Sequence, residues 1–380
     1  MRRRALLLSL PAASLLPALF VPNARARANG LPPIRIGQSA PTSGPLARVG
    51  VAVRDAALAI FAEANAAGGV GGRDIELVTL DDEDRPERTS VNVKLLASQH
   101  QVVALFGFVG AGAHRAGARG AAEEGLPYLA PFSGSQELRS GTLPWIYNLR
   151  ASHVDEIEYI ARHTHQIGIK RVSLVFEYNS QGWELRDALM ASFEARGDRV
   201  ASISSIDHEG SKYSLPGAVS SVLAGQPQAI VLGADYVASA RFVDAVRQSA
   251  FSGIFYTLST VGGTALMETL GAQAAGLSVT QVVPFPWTSA SQIGRQFQAF
   301  CARHKIEPSF ASMEAYLGAT LLVDALRRTR EVTPARLAET LDSLPPRDFG
   351  GYVGAFYGKA RRVPPQVDLT VFSRNGRFVK

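Results

Sequence analysis

The chain has 380 residues, a formal net charge of +6, one cysteine and a hydrophobic share of 46%. Five of the positive charges, Arg2, Arg3, Arg4, Arg25 and Arg27, lie in residues 1–28, so the rest of the chain carries about +1 and a nucleic-acid partner loses its compositional support. A single cysteine excludes an internal disulfide framework, and the length suits two lobes of ordinary domain size better than one.

Residues 1–28 read as an export signal. Met1, Arg2, Arg3 and Arg4 form a basic start, residues 5–21 are apolar but broken by Pro11 and Pro17, and Ala26, Arg27 and Ala28 make a small-x-small cleavage pattern. Cleavage is expected near Ala28; the arginines leave the general and twin-arginine routes both open. No later apolar run is long enough to span a bilayer. Cys301 shares a predicted helical face with Phe297 and Phe300, which suits a buried inert thiol better than a nucleophile.

Residues 34–38 alternate like a strand, and 40–45 (APTSGP) form the loop after it. Residues 49–67 predict a helix, with Val53, Ala56, Ala57, Ile60 and Ala64 at helical spacing, ended by the glycines of 68–72. A strand at 75–80 leads into Asp81, Asp82, Glu83 and Asp84, and Pro86 opens a helix to about residue 99 as a first-turn proline. Residues 102–106 predict a buried strand, 111–124 an Ala-rich helix stopped by Gly125, and 126–130 a second strand. In a parallel β-α-β unit the loops at 109–112 and 132–135 leave the same edge of the sheet. Backbone N–H groups and a helix's positive end face an open crevice there. These two loops read as half of a small-molecule binding site.

Residues 143–150 read as a strand leaving the first lobe, and a second alternation follows. It runs helix 155–167, strand 171–176, loop 177–182, helix 183–197, strand 200–206, helix 214–224 and strand 229–232. Loop 233–236, helix 237–250, strand 254–258 and loop 259–263 continue it. An extended segment at 277–283 precedes Pro284, Phe285, Pro286 and Trp287. Helices at 293–304, 312–329 and 334–343 come next, then strands at 352–356 and 367–373 with a turn at Asn375 and Gly376. Repeated strand–loop–helix units in both halves predict an α/β fold of two doubly wound parallel-sheet lobes with a ligand cleft between them; one large sheet is the alternative. The expected division is 29–149 with 284–350 for lobe 1, and 150–283 with 351–380 for lobe 2.

Catalytic chemistry is hard to assemble. Arg115 stands where a dinucleotide fingerprint begun by Gly107, Gly110 and Gly112 needs glycine. Ser133 has no base placed near it by sequence. His163 and His165 diverge on a helix and cannot share a metal, which leaves a solvated face. Asp81 to Asp84 lack calcium-loop spacing and read as a solvated loop that also favours the helix start at Pro86. No catalytic residue, metal ligand or cofactor is therefore assigned. The aromatics near strand ends, Phe108, Phe132, Tyr178, Tyr236 and Trp287, are individually compatible with core packing and together suggest a pocket with flat apolar walls.

Several stretches, taken in order, carry a resemblance. They are IRIGQSAPTSGPLARVG from Ile34, EANAAGGVGGRDIELVTLDDEDRPERT from Glu63, GLPYLAPFSGS from Gly125, LRASHVDE from Leu149, VFEYNSQG from Val175 and QVVPFPW from Gln281. The chain resembles the periplasmic solute-binding proteins of ABC transporters, of the leucine/isoleucine/valine-binding type, over nearly its whole length after residue 28. That resemblance implies a type I periplasmic binding protein: two α/β lobes, three hinge crossovers, and flytrap closure around a small-molecule ligand. It further implies periplasmic location, delivery to an ABC permease in the inner membrane, a monomer, no cofactor and no turnover.

In amino-acid-binding members a hydroxyl residue and a threonine hold the α-carboxylate, and an acidic residue of the second lobe takes the ammonium. The matching positions look like Ala111, then Gly134 or Ser133, then Ser259, so the resemblance implies the frame without the zwitterion clamp. A buried ammonium needs acceptors to offset its desolvation. The expectation is therefore a carboxylate with an aromatic or other apolar body, held by main-chain N–H groups of Ala111, Gly112 and Ser133. The body would lie between Phe132, Tyr178 and Trp287, with His153, Gln181 and Asp235 as polar contacts and Ser43, Val109 and Gly110 completing the lining. Arg48 can point into the cleft or away, and Arg150 can meet a carboxylate or tie the crossover to the first lobe. Branched-chain amino acid binding proper and a sensory role for the same cleft are the competing readings. A hydrolase or transferase needs a nucleophile–base pair that is not apparent.

Overall fold

The structure, a computed structural model, describes residues 30–207, 214–261, 263–357 and 366–380; the expected export signal lies outside them, as do Arg361 and Arg362, which read from the sequence as a short surface pair and not a basic stripe. Five strands form the first sheet: β1 (Ile34–Ala40), β2 (Ile75–Asp81), β3 (Ala104–Phe106), β4 (Tyr128–Leu129) and β5 (Ile146–Tyr147). Their order is β2-β1-β3-β4-β5 and every pairing is parallel. The intervening helices are α1 (Ala47–Ala66), α2 (Pro86–Ser98) and α3 (Ala111–Glu124). Strand alternation sends Phe106 toward Phe61 of α1, with ring centroids 6.5 Å apart, while Leu105 joins Val93 and Leu96 of α2.

The second lobe alternates α4 (His153–Gln166), β6 (Arg171–Glu177), α5 (Ser180–Glu194), β7 (Arg199–Ile206), α6 (Leu215–Ala224), β8 (Ala229–Gly233), α7 (Tyr236–Arg247), β9 (Ile254–Thr257), α8 (Thr264–Leu270) and β10 (Ser278–Gln281). Helices α9 (Gln292–His304), α10 (Phe310–Arg328) and α11 (Pro334–Ser343) follow. The chain ends in the short pair β11 (Arg347–Asp348) and β12 (Val353–Gly354) and the hairpin β13 (Asp368–Phe372) and β14 (Phe378–Val379). The second sheet has the order β14-β13-β10-β9-β8-β6-β7; its β6–β10 ladders are parallel and the hairpin adds antiparallel to β10.

The chain passes between the sheets three times: after β5, after β10, and between β12 and β13. The crossovers lie together. Asn148 and Tyr357 exchange backbone hydrogen bonds of 3.0 and 2.7 Å, and the Tyr352 hydroxyl donates to the Val282 carbonyl at 3.4 Å. After β10 the chain returns to the first lobe, where Phe297, Phe300, Met313, Leu317 and Leu337 share one core with Ile34, Phe61 and Phe106. Cys301 sits in that core, and burial pushes its thiol up to about 11.

The acidic cluster differs from the solvated loop expected. Asp82 is fully buried and accepts hydrogen bonds from Ser39 Oγ at 2.8 Å and Thr89 Oγ1 at 3.1 Å, tying the end of β1 to α2. Asp81 accepts from Thr42 N, Ser43 Oγ and Glu83 N. Burial opposes its charge, but these bonds prevail and hold the carboxyl at about 2. Among the described residues no helix is long and apolar enough to cross a membrane, and no group of three or more potential metal ligands occurs.

Candidate functional site

The C-terminal edges of the two sheets face each other. The Tyr236 hydroxyl, after β8, donates to the Pro45 carbonyl, after β1, at 3.3 Å. Arg115 on α3 donates to Ser180 at the start of α5. Ser135 Oγ and Gln136 N donate to the Glu184 carboxylate at 3.2 and 3.1 Å. On another side of the seam Arg48 pairs with Glu268 of α8 and, at 3.1 Å, with Glu307 before α10. These polar contacts run along the rim and hold the lobes against each other.

Inside the rim the seam is buried and charged. Arg150, in the first crossover, is 2% exposed. Its guanidinium carbon lies 4.5 Å from the centroid of the Phe132 ring, and Nη2 donates to Ser259 Oγ at 2.6 Å. Ser259 donates in turn from its N and Oγ to Glu156 at 2.8 and 3.0 Å, and Thr280 Oγ1 adds a third bond at 2.5 Å. Arg150 Nε lies 3.7 Å from Glu314 Oε1. One guanidinium thus joins a loop of the first sheet, a loop of the second, and helix α10. A buried charge persists only when such partners offset its desolvation.

His153 opens α4 and is fully buried. Its N–H donates to the Gly134 carbonyl at 2.8 Å, and Gly134 N donates back to His153 Nε2 at 3.1 Å. Only glycine fits at 134, because an added Cβ would lie 2.3 Å from the imidazole Cδ2 and 2.6 Å from the His153 backbone nitrogen. Burial, reinforced by Arg150 and Arg139, holds His153 well below the usual histidine range. His114, beside Tyr128 OH at 3.3 Å, is lowered to about 3, by burial first and Arg150 second. Burial raises the Glu156 and Glu314 carboxyls, against the pull of Arg150.

The histidine shift has a measurable consequence. Above about pH 6.5 both folded and unfolded His114 are neutral; below it only the unfolded chain takes up the proton, down to about pH 3. Stability must fall with acidification across that window, by about 2 kcal/mol at pH 5 from His114 alone. Glu156 and Glu314, raised in the folded state, act in the opposite sense. Urea denaturation of His114→Gln should therefore show a flatter stability profile than the parent between pH 6.5 and 5. Parallel profiles would refute the assignment.

Of the residues expected at the site, the structure brings Phe132, Gly134, His153 and Ser259 together around Arg150. Val109 packs with Phe132 in a small apolar cluster that includes Val53 and Ala315. Ser133 is buried, and its Oγ accepts from Ser135 N at 3.2 Å. Ser43 bonds Asp81 and Arg48 bonds acids at the rim. Gly110 and Gly112 lie against the β2–α2 loop: a Cβ on either would come within 2.2 Å of Asp84 Oδ1 or Pro86 Cγ. Ala111 between them is exposed. Tyr178 is 68% exposed with its ring on Trp183, Gln181 lies half-buried in the first turn of α5, and Asp235 caps α7 by accepting from Val237 N and Ala238 N. Trp287 packs on Phe285, Phe310 and Phe378 instead. Among the described residues no ring contact joins Phe132, Tyr178 and Trp287.

Sequence reasoning passed over Glu156, Glu314, Thr280, Arg139 and His114. Two left a signal. Glu156 falls on the buried stripe of α4 with His153, Ile157 and Ile160, and Glu314 lies beside Met313 and Leu317 in α10. A carboxylate on an apolar helix face implies a buried partner.

The periplasmic binding protein family model matches residues 33–375. A possible leucine/isoleucine/valine-binding protein from Rhodopirellula baltica superposes with a TM-score of 0.83 at 24% identity, over 91% of this chain and 96% of that one. A substrate-binding periplasmic protein from Ralstonia solanacearum gives 0.82 at 28%, over 91% and 99%. The branched-chain amino acid transporter substrate-binding protein LivJ from Streptococcus pneumoniae, in complex with isoleucine, gives 0.80 at 18%, over 91% and 97%. No curated protein matches the chain by sequence.

Proposed function

The chain belongs to the periplasmic binding protein family, and from that premise we propose that it binds one small carboxylate-bearing solute between its lobes and delivers it unchanged to an ABC permease of the inner membrane. The exported chain works as a monomer after losing residues 1–28. Residues 29–149 with 284–350, and 150–283 with 351–380, are the two bodies that close. The observation that carries this reading is the seam itself, where Arg150, at the start of the second body, lies over Phe132 of the first and donates to Ser259 of its own. The floor of the site is Phe132, Ser133, Gly134, His153 and Ser259. Val109 supplies apolar wall, and Ser43, Arg48, Tyr178, Gln181 and Asp235 lie toward the rim.

The reading makes the protein a binder and not an enzyme. Thermal denaturation with leucine, phenylalanine, their keto acids and aryl carboxylates tests it. A ligand at a hundred times its dissociation constant adds about 2.7 kcal/mol. An apolar carboxylate should raise the melting temperature and be recovered intact. Leucine raising it while every keto and aryl acid leaves it unchanged would return the assignment to branched-chain amino acids, and chemical conversion of a bound ligand would contradict a carrier.

A further inference from the structure

The buried seam holds polar groups whose hydrogen-bonding capacity is unspent. Arg150 Nε and Nη1 and His153 Nδ1 are buried, and none has a hydrogen-bond partner among the described residues. The tautomer of His153 follows from its neighbours. Gly134 N donates to Nε2, so that nitrogen is the acceptor, and the proton of the neutral ring sits on Nδ1. All three orphan atoms are therefore donors. Of the orphan oxygens nearby, Glu314 Oε1 already lies 3.7 Å from Arg150 Nε, and Asn148 Oδ1 and Thr260 Oγ1, close in the chain to Arg150 and Ser259, are fewer than the N–H groups left over. The carboxylate of Glu156 already accepts three bonds, from Ser259 N, Ser259 Oγ and Thr280 Oγ1. A surplus of buried donors around a guanidinium is costly unless an acceptor-rich group meets it.

The neighbourhood of these donors is apolar. Phe132 lies under the guanidinium, and it packs with Val53, Val109 and Ala315 on the first-lobe side. We infer that the ligand is an anion whose carboxylate docks on Arg150 Nε and Nη1, with His153 Nδ1–H as a third donor, and whose apolar body lies along Phe132 and Val109. This rests on the reading of the seam as the solute site and deepens it. Recognition passes from main-chain amides at the tip of α3 to a buried side-chain fork. Arg is suited to that task because two parallel N–H groups match both carboxylate oxygens.

The test compares acids with their neutral isosteres on the unchanged protein. Isothermal titration calorimetry on the full exported chain uses phenylacetate, phenylpyruvate, 4-methyl-2-oxopentanoate, leucine and phenylalanine, with phenylacetamide and leucinamide as neutral-headed controls. One or more acids should bind with unit stoichiometry, and the matching amide at least about 30-fold more weakly. Arg150→Lys, which keeps the charge and loses the fork, should weaken the acid at least about tenfold, and His153→Gln less. An amide that binds as well as its acid, or an Arg150→Lys protein that binds the acid undiminished, overturns the inference and leaves a solute-binding protein standing. Binding by no member of the series overturns both.

Discussion

Arg150→Met should lower stability at pH 7 by about 3–5 kcal/mol, the usual cost of removing one partner from a buried ion network. Methionine fills much of the space over Phe132 but leaves Glu156 and Glu314 buried without their counter-charge, and Ser259 without its donor. The pH dependence carries the diagnosis. Burial already raises both carboxyls in the folded state, and Arg150 opposes that rise. Without the guanidinium they rise further. A carboxyl whose folded pKa lies above its unfolded value costs stability as pH increases through the folded pKa and returns it on acidification. The deficit of Arg150→Met relative to the parent should therefore shrink as pH falls from 7.5 toward 5. Urea denaturation at several pH values measures it. A cost under about 1 kcal/mol, or a deficit that grows on acidification, would contradict a network held together by this residue.

Gly134→Ala is the second large effect, expected to cost about 1–3 kcal/mol and to weaken any ligand of the seam. The cause is space: the new methyl would overlap both the His153 ring and its backbone nitrogen. That nitrogen cannot yield, because α4 is fixed at this end by the reciprocal bonds of Ser152 and Asp155. The Phe132–Ser135 loop must then move off α4 and carry Phe132 away from Arg150. Gly217→Ala is the control. It lies inside α6 with nothing near its would-be Cβ, so helix propensity should make it neutral or stabilising by up to about 1 kcal/mol. Equal melting temperatures for Gly134→Ala and the parent would show that the loop and helix are not packed as described.

How much of this was legible before the structure depends on which physics decides each feature. Helix α3 was readable at both ends, because Ala-rich composition and Gly125 at its stop, left-handed in the structure, are local signals. The facing loops were readable too: a parallel sheet puts Phe132, Gly134 and Ser259 at its C-terminal edge whatever the details. The seven-residue α8 was not, since fewer than two turns show no periodicity. Strand β5 is only Ile146–Tyr147, because residues 143–145 form a bend and turn before it and 148–150 enter the crossover. Asp82 was misread because burial depends on Ser39 and Thr89, which come close only once β1 and α2 are packed. Trp287 follows a strand end like the others, yet its rings of contact are Phe285, Phe310 and Phe378, and no local pattern distinguishes that from a cleft wall. Arg150 meets Ser259 and Glu314, each more than a hundred positions away from it in the chain, so its role emerges only once both lobes are packed.

Two lobes that hold a single intact solute at the Arg150 seam should keep it through purification. Native mass spectrometry of the exported protein, taken from cells grown in rich medium, reads this out. The expected result is a complex of one chain with one small acidic molecule, released on denaturation, identifiable unchanged, and absent from Arg150→Lys. A complex of the same small molecule at equal occupancy in both proteins, or a chain that carries no solute and takes up none of the carboxylates offered to it, would contradict it.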